Sequence, residues 1–104
     1  MQLRVSSPGH ELRDGEVDRI QRDLDKIDRR LKQFDDVYAE VRINGGNGAA
    51  TQRHVTLEIE YGRHHLVATA DGELGQAVRR ARDEIMRQIN DRSRGGHSEY
   101  SKGR

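Results

Sequence analysis

Arginine is concentrated in one segment, residues 72–94, which reads GELGQAVRRARDEIMRQINDRSR. A guanidinium group is planar and presents paired N–H donors, so it makes bidentate contacts with phosphate or carboxylate oxygens. The formal net charge of the whole chain is only +1. The local excess of arginine therefore indicates a placed anion-binding surface rather than a general basic bias. The arginines of the segment are Arg79, Arg80, Arg82, Arg87, Arg92 and Arg94.

Apolar residues in the same segment recur three and four positions apart, which predicts an amphipathic helix. Arg79, Arg80 and Arg87 are expected to lie broadly opposite the apolar stripe, and Arg82 beside it. Arg92 and Arg94 extend the basic surface past the last apolar turn. One interpretation is contact with nucleic-acid phosphates, and the other is a solvated helix face with capping arginines. The apolar set is Leu74, Val78, Ala81, Ile85 and Ile89.

A second predicted helix, residues 16–34, offers further cations that widen this surface. Its apolar stripe is narrow, and Asp14 is its expected N-cap. Aromatic residues make up only 4% of the chain, so base stacking on an open sheet is poorly supported. The predicted contacts are with backbone phosphates. The predicted RNA-binding residues are Lys26, Arg29, Arg30, Arg79, Arg80, Arg82, Arg87, Arg92 and Arg94.

Catalytic and metal-binding candidates are weak. The chain has no cysteine, which excludes disulfides and thiolate chemistry. His64 and His65 are neighbours on a predicted strand, so they point to opposite faces and do not share a metal ion. Glu58 and Glu60 are interpreted as solvated strand residues rather than an acid and base pair. No nucleophile, phosphate-loop or dinucleotide motif is present. The sequence therefore predicts a protein that is not an enzyme and has no cofactor, metal or small-molecule substrate.

Composition limits the architecture and the setting. Of the 104 residues, 32% are hydrophobic and 36% are charged, which predicts one domain with a thin core between two layers. No apolar run approaches a signal peptide or a membrane span. The protein is expected to be soluble and cytoplasmic, with no membrane partner.

The predicted elements alternate in a simple order. Strands are expected at residues 2–6, 37–44, 53–60 and 64–70, helices at 16–34 and 72–94, and turns at 44–52 and 61–63. This order predicts an α+β fold, a β-α-β-β-β-α two-layer sandwich with a four-stranded mixed sheet and both helices on one face. Residues 1–92 would form the domain and residues 93–104 a flexible tail.

Several short segments in this order resemble the ribosome hibernation-promoting factor and ribosome-associated inhibitor (sigma-54 modulation) family, in its short form. They are MQLRV, DKIDRRLKQF, VYAEVRI, LVATADG and EIMRQI. By position, Lys26 matches a family lysine on the first helix, and Arg87 matches the arginine of the family's RQL segment. The chain differs where Gly75 replaces a tyrosine and Arg79 replaces an aspartate.

The resemblance implies a stress-response or stationary-phase factor that silences translation. Such a factor binds the small ribosomal subunit and its rRNA, in the channel used by messenger and transfer RNA, through basic helix surfaces. A monomer or a weak homodimer is expected. Two alternatives remain open from the residues: a double-stranded RNA-binding domain, and a protein-interaction module that docks through the open face of the sheet.

Overall fold

The computed structural model describes residues 1–45 and 51–102, with side chains described at 1–45 and 51–93. It contains the predicted order of elements, so the expected α+β fold is confirmed. The elements are β1 (Gln2–Ser6), α1 (Asp14–Arg30), β2 (Val37–Gly45), β3 (Gln52–Tyr61), β4 (His64–Glu73) and α2 (Leu74–Lys102).

The four strands form one mixed sheet in the order β1-β2-β3-β4. β1 and β2 are parallel, with Val5 opposite Val41, and α1 provides the crossover that a parallel pair requires. The remaining pairs are antiparallel, with Val41 opposite Leu57 and Leu57 opposite Ala68. Period-two alternation of apolar residues thus brings the same side of every strand to one face of the sheet.

A single core lies between this sheet face and the two helices. In α1 the stripe of Ile20, Leu24 and Ile27 is almost fully buried, as its spacing predicts. α2 contributes its own stripe, which packs against β3 and β4. Both helices therefore cover one sheet face, and the opposite face is open. The buried stripe of α2 is Ala77, Val78, Ala81, Ile85 and Ile89.

Helix α1 is shorter than the periodicity predicts, and its cap is different. The expected N-cap at Asp14 is wrong, because Asp14 is already helical and Arg13 is the N-cap. The Arg13 backbone N–H donates to Glu16 Oε1 at 2.9 Å, which satisfies one donor at the helix start. The helix ends at Arg30 rather than Phe34. The apolar spacing persists beyond this end because Leu31 is still buried in the core.

The turn between β3 and β4 is tighter than expected, and both strands are longer. Tyr61, placed in the turn by the sequence, is the last residue of β3 and is 4% exposed. Gly62 has a φ of 55°, a backbone conformation that favours glycine, so the chain reverses there. β4 runs on to Glu73, past the expected end at Ala70, because its pairing with β3 continues to Gln52.

Helix α2 begins at Leu74 and reaches Lys102, beyond the predicted end at residue 94. The end was predicted because the apolar period stops there, but a helix does not need an apolar stripe to continue, and glycine costs it only about 1 kcal/mol per residue. Of the predicted mobile turn, residues 46–50 lie outside the described residues. The division into a 1–92 domain and a flexible 93–104 tail stays a prediction. No helix in the described part of the chain is long and apolar enough to cross a membrane.

Candidate functional site

The predicted RNA-binding residues all belong to the two helices, which we call the helical layer. Within residues 26–92, their side chains reach different elements, and their partners differ in charge. The partners divide these cations into those whose charge is offset by a carboxylate and those whose charge is not. Helical spacing predicts part of this division, since Asp25 precedes Arg29 by four residues. It does not show what the neighbouring element presents.

Arg79 and Arg82 turn toward α1 and meet Asp23. Arg82 Nη1 donates to the backbone carbonyl of Asp23 at 3.4 Å, and Arg79 Nη1 lies 3.8 Å from Asp23 Oδ2. Arg82 also holds Asp83, with Nε 3.0 Å from Oδ1. The Arg82 side chain is only 18% exposed. These two arginines therefore join α2 to α1, and Asp83 and Asp23 offset their charge.

The two positions at which the chain differs from the family pattern are in contact with each other. A Cβ atom placed on Gly75 would lie 3.3 Å from Arg79 Nη1. Because Gly75 has no side chain, the Arg79 guanidinium lies over the first turn of α2 while it reaches toward Asp23. The glycine costs helix stability but makes room for this arginine.

Arg87 is held between two carboxylates of its own helix. Its Nε donates to Glu84 Oε1 at 3.0 Å and its Nη1 donates to Asp91 Oδ2 at 2.6 Å. Hydrogen bonds from Arg87 and then from Gln88 lower the pKa of Glu84 to about 2, while the carboxylate raises the pKa of Arg87. Arg87 is exposed, as its expected position opposite the apolar stripe predicts, but its charge is more than offset by its two partners.

Two further predicted residues have anionic surroundings. Arg29 Nε lies 3.0 Å from Asp25 Oδ2, one helical turn away on α1. Arg80 Nη1 donates to the backbone carbonyl of Asp71, in β4, at 3.1 Å. Asp71 and Glu73 line the same depression as Arg80. Arg79 and Arg80, expected together on one face, therefore contact different elements, Arg79 α1 and Arg80 β4.

Arg30 differs, because its partners are neutral. Its Nε donates to Asn90 Oδ1 at 3.2 Å and its Nη2 donates to Ser93 Oγ at 3.4 Å. Lys26 lies one turn earlier on the same side of α1, and Arg92 follows Asn90 on α2. Within residues 1–45 and 51–93, no carboxylate forms an ion pair with Lys26, Arg30 or Arg92. Arg80 has no ion pair either, but it shares its depression with two acidic residues. We call these three residues the open patch.

The open patch adjoins two residues that the sequence did not single out as binding residues. Arg30 and Arg92 line a small cavity together with Tyr61 and His64, at the end of the helical layer. The signal that would have found Tyr61 is the alternation of β3, which continues one step beyond its predicted end. Arg94 has no described side chain, so its place in the surface stays a prediction.

The open face of the sheet carries polar side chains paired with each other. His65 Nε2 lies 3.0 Å from Glu58 Oε2, and His54 Nδ1 lies 2.7 Å from Asp71 Oδ1. Among the residues that the structure describes, no three histidine or carboxylate side chains converge as a metal site would require. Tyr38 is exposed there, as the sequence predicts.

Comparison with known proteins identifies the fold. No protein-family model matches the sequence, and no curated protein does. The N-terminal domain of Protein Y from Thermus thermophilus superposes with a TM-score of 0.73 at 18% identity, over 86% of this chain and 96% of that one. A ribosomal subunit interface protein from Coxiella burnetii superposes with a TM-score of 0.70 at 11% identity, over 89% of this chain and 98% of that one. The chain therefore has the fold of these two proteins, in agreement with the resemblance in its sequence.

Proposed function

We propose that this protein is a ribosome-binding factor without catalytic activity, which inhibits translation by occupying a site on the small subunit. The observation that carries the proposal is the fold, which is shared over almost the whole domain with a ribosomal subunit interface protein. The sequence resemblance to the hibernation-promoting factors favours the same function. It favours the channel of messenger and transfer RNA as the site, and the cytoplasm as the setting.

The charge distribution supports the open patch as the main contact with ribosomal RNA. Phosphate contacts supply much of the affinity of proteins for nucleic acids, and each contact displaces condensed counterions. Lys26, Arg30 and Arg92 are available for such contacts without first leaving a carboxylate. Arg30 is also held in place by Asn90 and Ser93, so less side-chain freedom is lost on binding.

The paired cations are less suited to this role. For Arg87 to contact a phosphate it must leave Glu84 and Asp91, or bring their negative charges close to the RNA. Arg79 and Arg82 would have to give up contacts that join the two helices. We therefore assign these residues to the geometry of the helical layer, and the open patch to RNA affinity.

The test is binding to purified small ribosomal subunits over a range of salt concentrations. We expect the double variant Lys26→Gln/Arg92→Gln to bind more weakly and with a shallower salt dependence than the wild type. The matched control is Arg4→Gln/Arg42→Gln, which removes two cations from the open sheet face and should bind as the wild type does. Equal losses of affinity in both variants would contradict the assignment of RNA binding to the open patch.

Competition tests the finer part of the proposal. Messenger RNA together with initiator transfer RNA should displace the protein from small subunits if it occupies their channel. Simultaneous binding would rule out the channel while leaving ribosome binding intact.

Equal affinity for a naked RNA duplex of about 16 base pairs would favour the double-stranded RNA-binding alternative. Retention of partners after nuclease treatment would favour protein docking through the open sheet face.

A further inference from the structure

A cavity of about 100 Å³ lies where the end of α1, the β3–β4 turn and α2 meet. The polar lining residues are Arg30, Gln33, His64, Arg92 and Ser93. Tyr61 and the apolar residues of the core margin line the rest. A water molecule needs about 10–15 Å³ of such space, so the cavity has room for a group of several heavy atoms.

The lining of this cavity has no carboxylate. Four larger depressions among the described residues are each lined by at least two carboxylates. The Arg30–Arg92 cavity instead brings together two guanidinium groups that have no acidic partner in the described part of the chain. An anion placed there would be attracted by both groups and repelled by no lining residue.

Tyr61 supplies a neutral donor beside the two arginines. Its ring is fixed by an edge contact with Phe34, at 4.9 Å between centroids, and by His64 at 5.0 Å. Burial raises the pKa of Tyr61, and the charges of Arg92 and Arg30 oppose that rise. The phenol therefore keeps its proton at neutral pH. No group in residues 1–45 or 51–93 hydrogen-bonds its hydroxyl, which remains available to a ligand.

Arg30 is positioned before any ligand arrives. Its Nε and Nη2 groups are engaged by Asn90 and Ser93 of α2, and its Nη1 group has no partner among the described residues. The guanidinium is thus fixed in orientation with one N–H₂ group still available. Such preorganisation favours binding of a ligand of defined geometry.

We propose that the Arg30–Arg92 cavity binds one phosphate group of RNA. Arg30 Nη1, the Arg92 guanidinium and the Tyr61 hydroxyl would each donate to a phosphate oxygen. The assignment of the phosphate to RNA rests on the proposed function, while the binding of a phosphate group rests on the cavity itself. A free phosphate ion is the other source of the same chemistry.

The test uses the full chain and ¹H–¹⁵N spectra recorded during titration with inorganic phosphate, against potassium chloride at equal ionic strength. Phosphate should shift the Arg side-chain and backbone signals around the cavity, and chloride should not. Arg92→Gln should weaken phosphate binding about tenfold, as expected for the loss of a hydrogen bond to a charged group. Tyr61→Phe, which keeps the ring and its packing, should weaken it about threefold.

Arg63→Gln is the matched control, since Arg63 is exposed in the adjacent turn and does not line the cavity. It should bind phosphate as the wild type does. Shifts no larger than those with chloride, or equal losses in Arg63→Gln and Arg92→Gln, would overturn the proposal. Arg92 is substituted rather than Arg30, because Arg30 hydrogen-bonds Asn90 and Ser93 of α2 and its loss would also remove contacts between the helices.

Small-subunit binding by the same variants separates the two sources of phosphate. Weaker subunit binding by both Arg92→Gln and Tyr61→Phe supports an RNA phosphate in the cavity. Loss of phosphate binding with unchanged subunit binding overturns the RNA assignment and leaves a site for free phosphate. If the wild type does not bind subunits at all, the proposed function is wrong. The phosphate titration still shows whether the cavity binds a phosphate group.

Discussion

The salt dependence of ribosome binding should distinguish a free arginine from a paired one. Two perturbations make the comparison: the single variant Arg92→Gln, and the double variant Glu84→Gln/Arg87→Gln. The first removes an arginine without a carboxylate partner in the described residues. The second removes an ion pair and leaves the net charge unchanged. The sequence predicts both Arg87 and Arg92 as RNA-binding cations, whereas the structure separates them by their partners.

The magnitude follows from counterion release. Each phosphate contact contributes about 0.7–0.9 to the slope of log K against log salt concentration. Loss of the Arg92 contact should therefore lower the slope by about 0.7–0.9. Over a fourfold change in salt this amounts to about a threefold smaller change in affinity. The Glu84→Gln/Arg87→Gln variant should keep the wild-type slope, because Arg87 is occupied by Glu84 and Asp91.

The assay is fluorescence anisotropy of labelled protein with purified small subunits, at several potassium chloride concentrations. Circular dichroism confirms that both variants are folded. A loss of slope in the Glu84→Gln/Arg87→Gln variant equal to that in Arg92→Gln would refute the reasoning. It would mean that Arg87 leaves its carboxylates on binding, as the match to the family's RQL segment suggests.

Three further predictions concern the helical layer. Because the folded pKa of Glu84 is about 2, below its ordinary 4.5, its pairing with Arg87 stabilises the protein above that ordinary value and is lost as the pH falls toward 2. The urea midpoints of wild type and Glu84→Gln should therefore differ at neutral pH and converge in acid, and a constant difference would exclude this coupling. Asp23→Asn should release Arg79, so the slope of log K against log salt concentration should steepen by up to about 0.9. The unfolding free energy should fall by at most about 1 kcal/mol. An unchanged slope would show that Arg79 does not reach RNA. Leu24→Ala should lower the unfolding free energy by about 2–5 kcal/mol in urea denaturation, because Leu24 is fully buried; a loss below about 1 kcal/mol would contradict its place in the core.

The fold was predictable because its signals are local and periodic. The alternation of Val37, Ala39 and Val41 identifies a buried face without knowledge of the partner element, and so does the four-and-three spacing of Ile20, Leu24 and Ile27. Element ends were less predictable. The N-cap at Arg13 depends on a backbone donor and the Glu16 side chain, and the end of α1 falls within a run whose apolar spacing continues into the core.

The candidate site was only partly predictable, because its chemistry depends on contacts between elements. A helical projection places Arg79 and Arg87 away from the apolar stripe, but it does not show that Asp23 of α1 lies beside Arg79. In the same way, nothing in the sequence brings Arg30 and Arg92 to one cavity. The pair of Arg29 with Asp25 follows from helical spacing, but the contacts between the two helices need the three-dimensional structure.

Sedimentation through sucrose gradients tests the central claim, which is that this fold and its open patch bind the small ribosomal subunit. At low salt the purified protein should comigrate with small subunits, and the Lys26→Gln/Arg92→Gln variant should remain largely at the top of the gradient. Failure of the wild-type protein to comigrate at low salt would contradict the account.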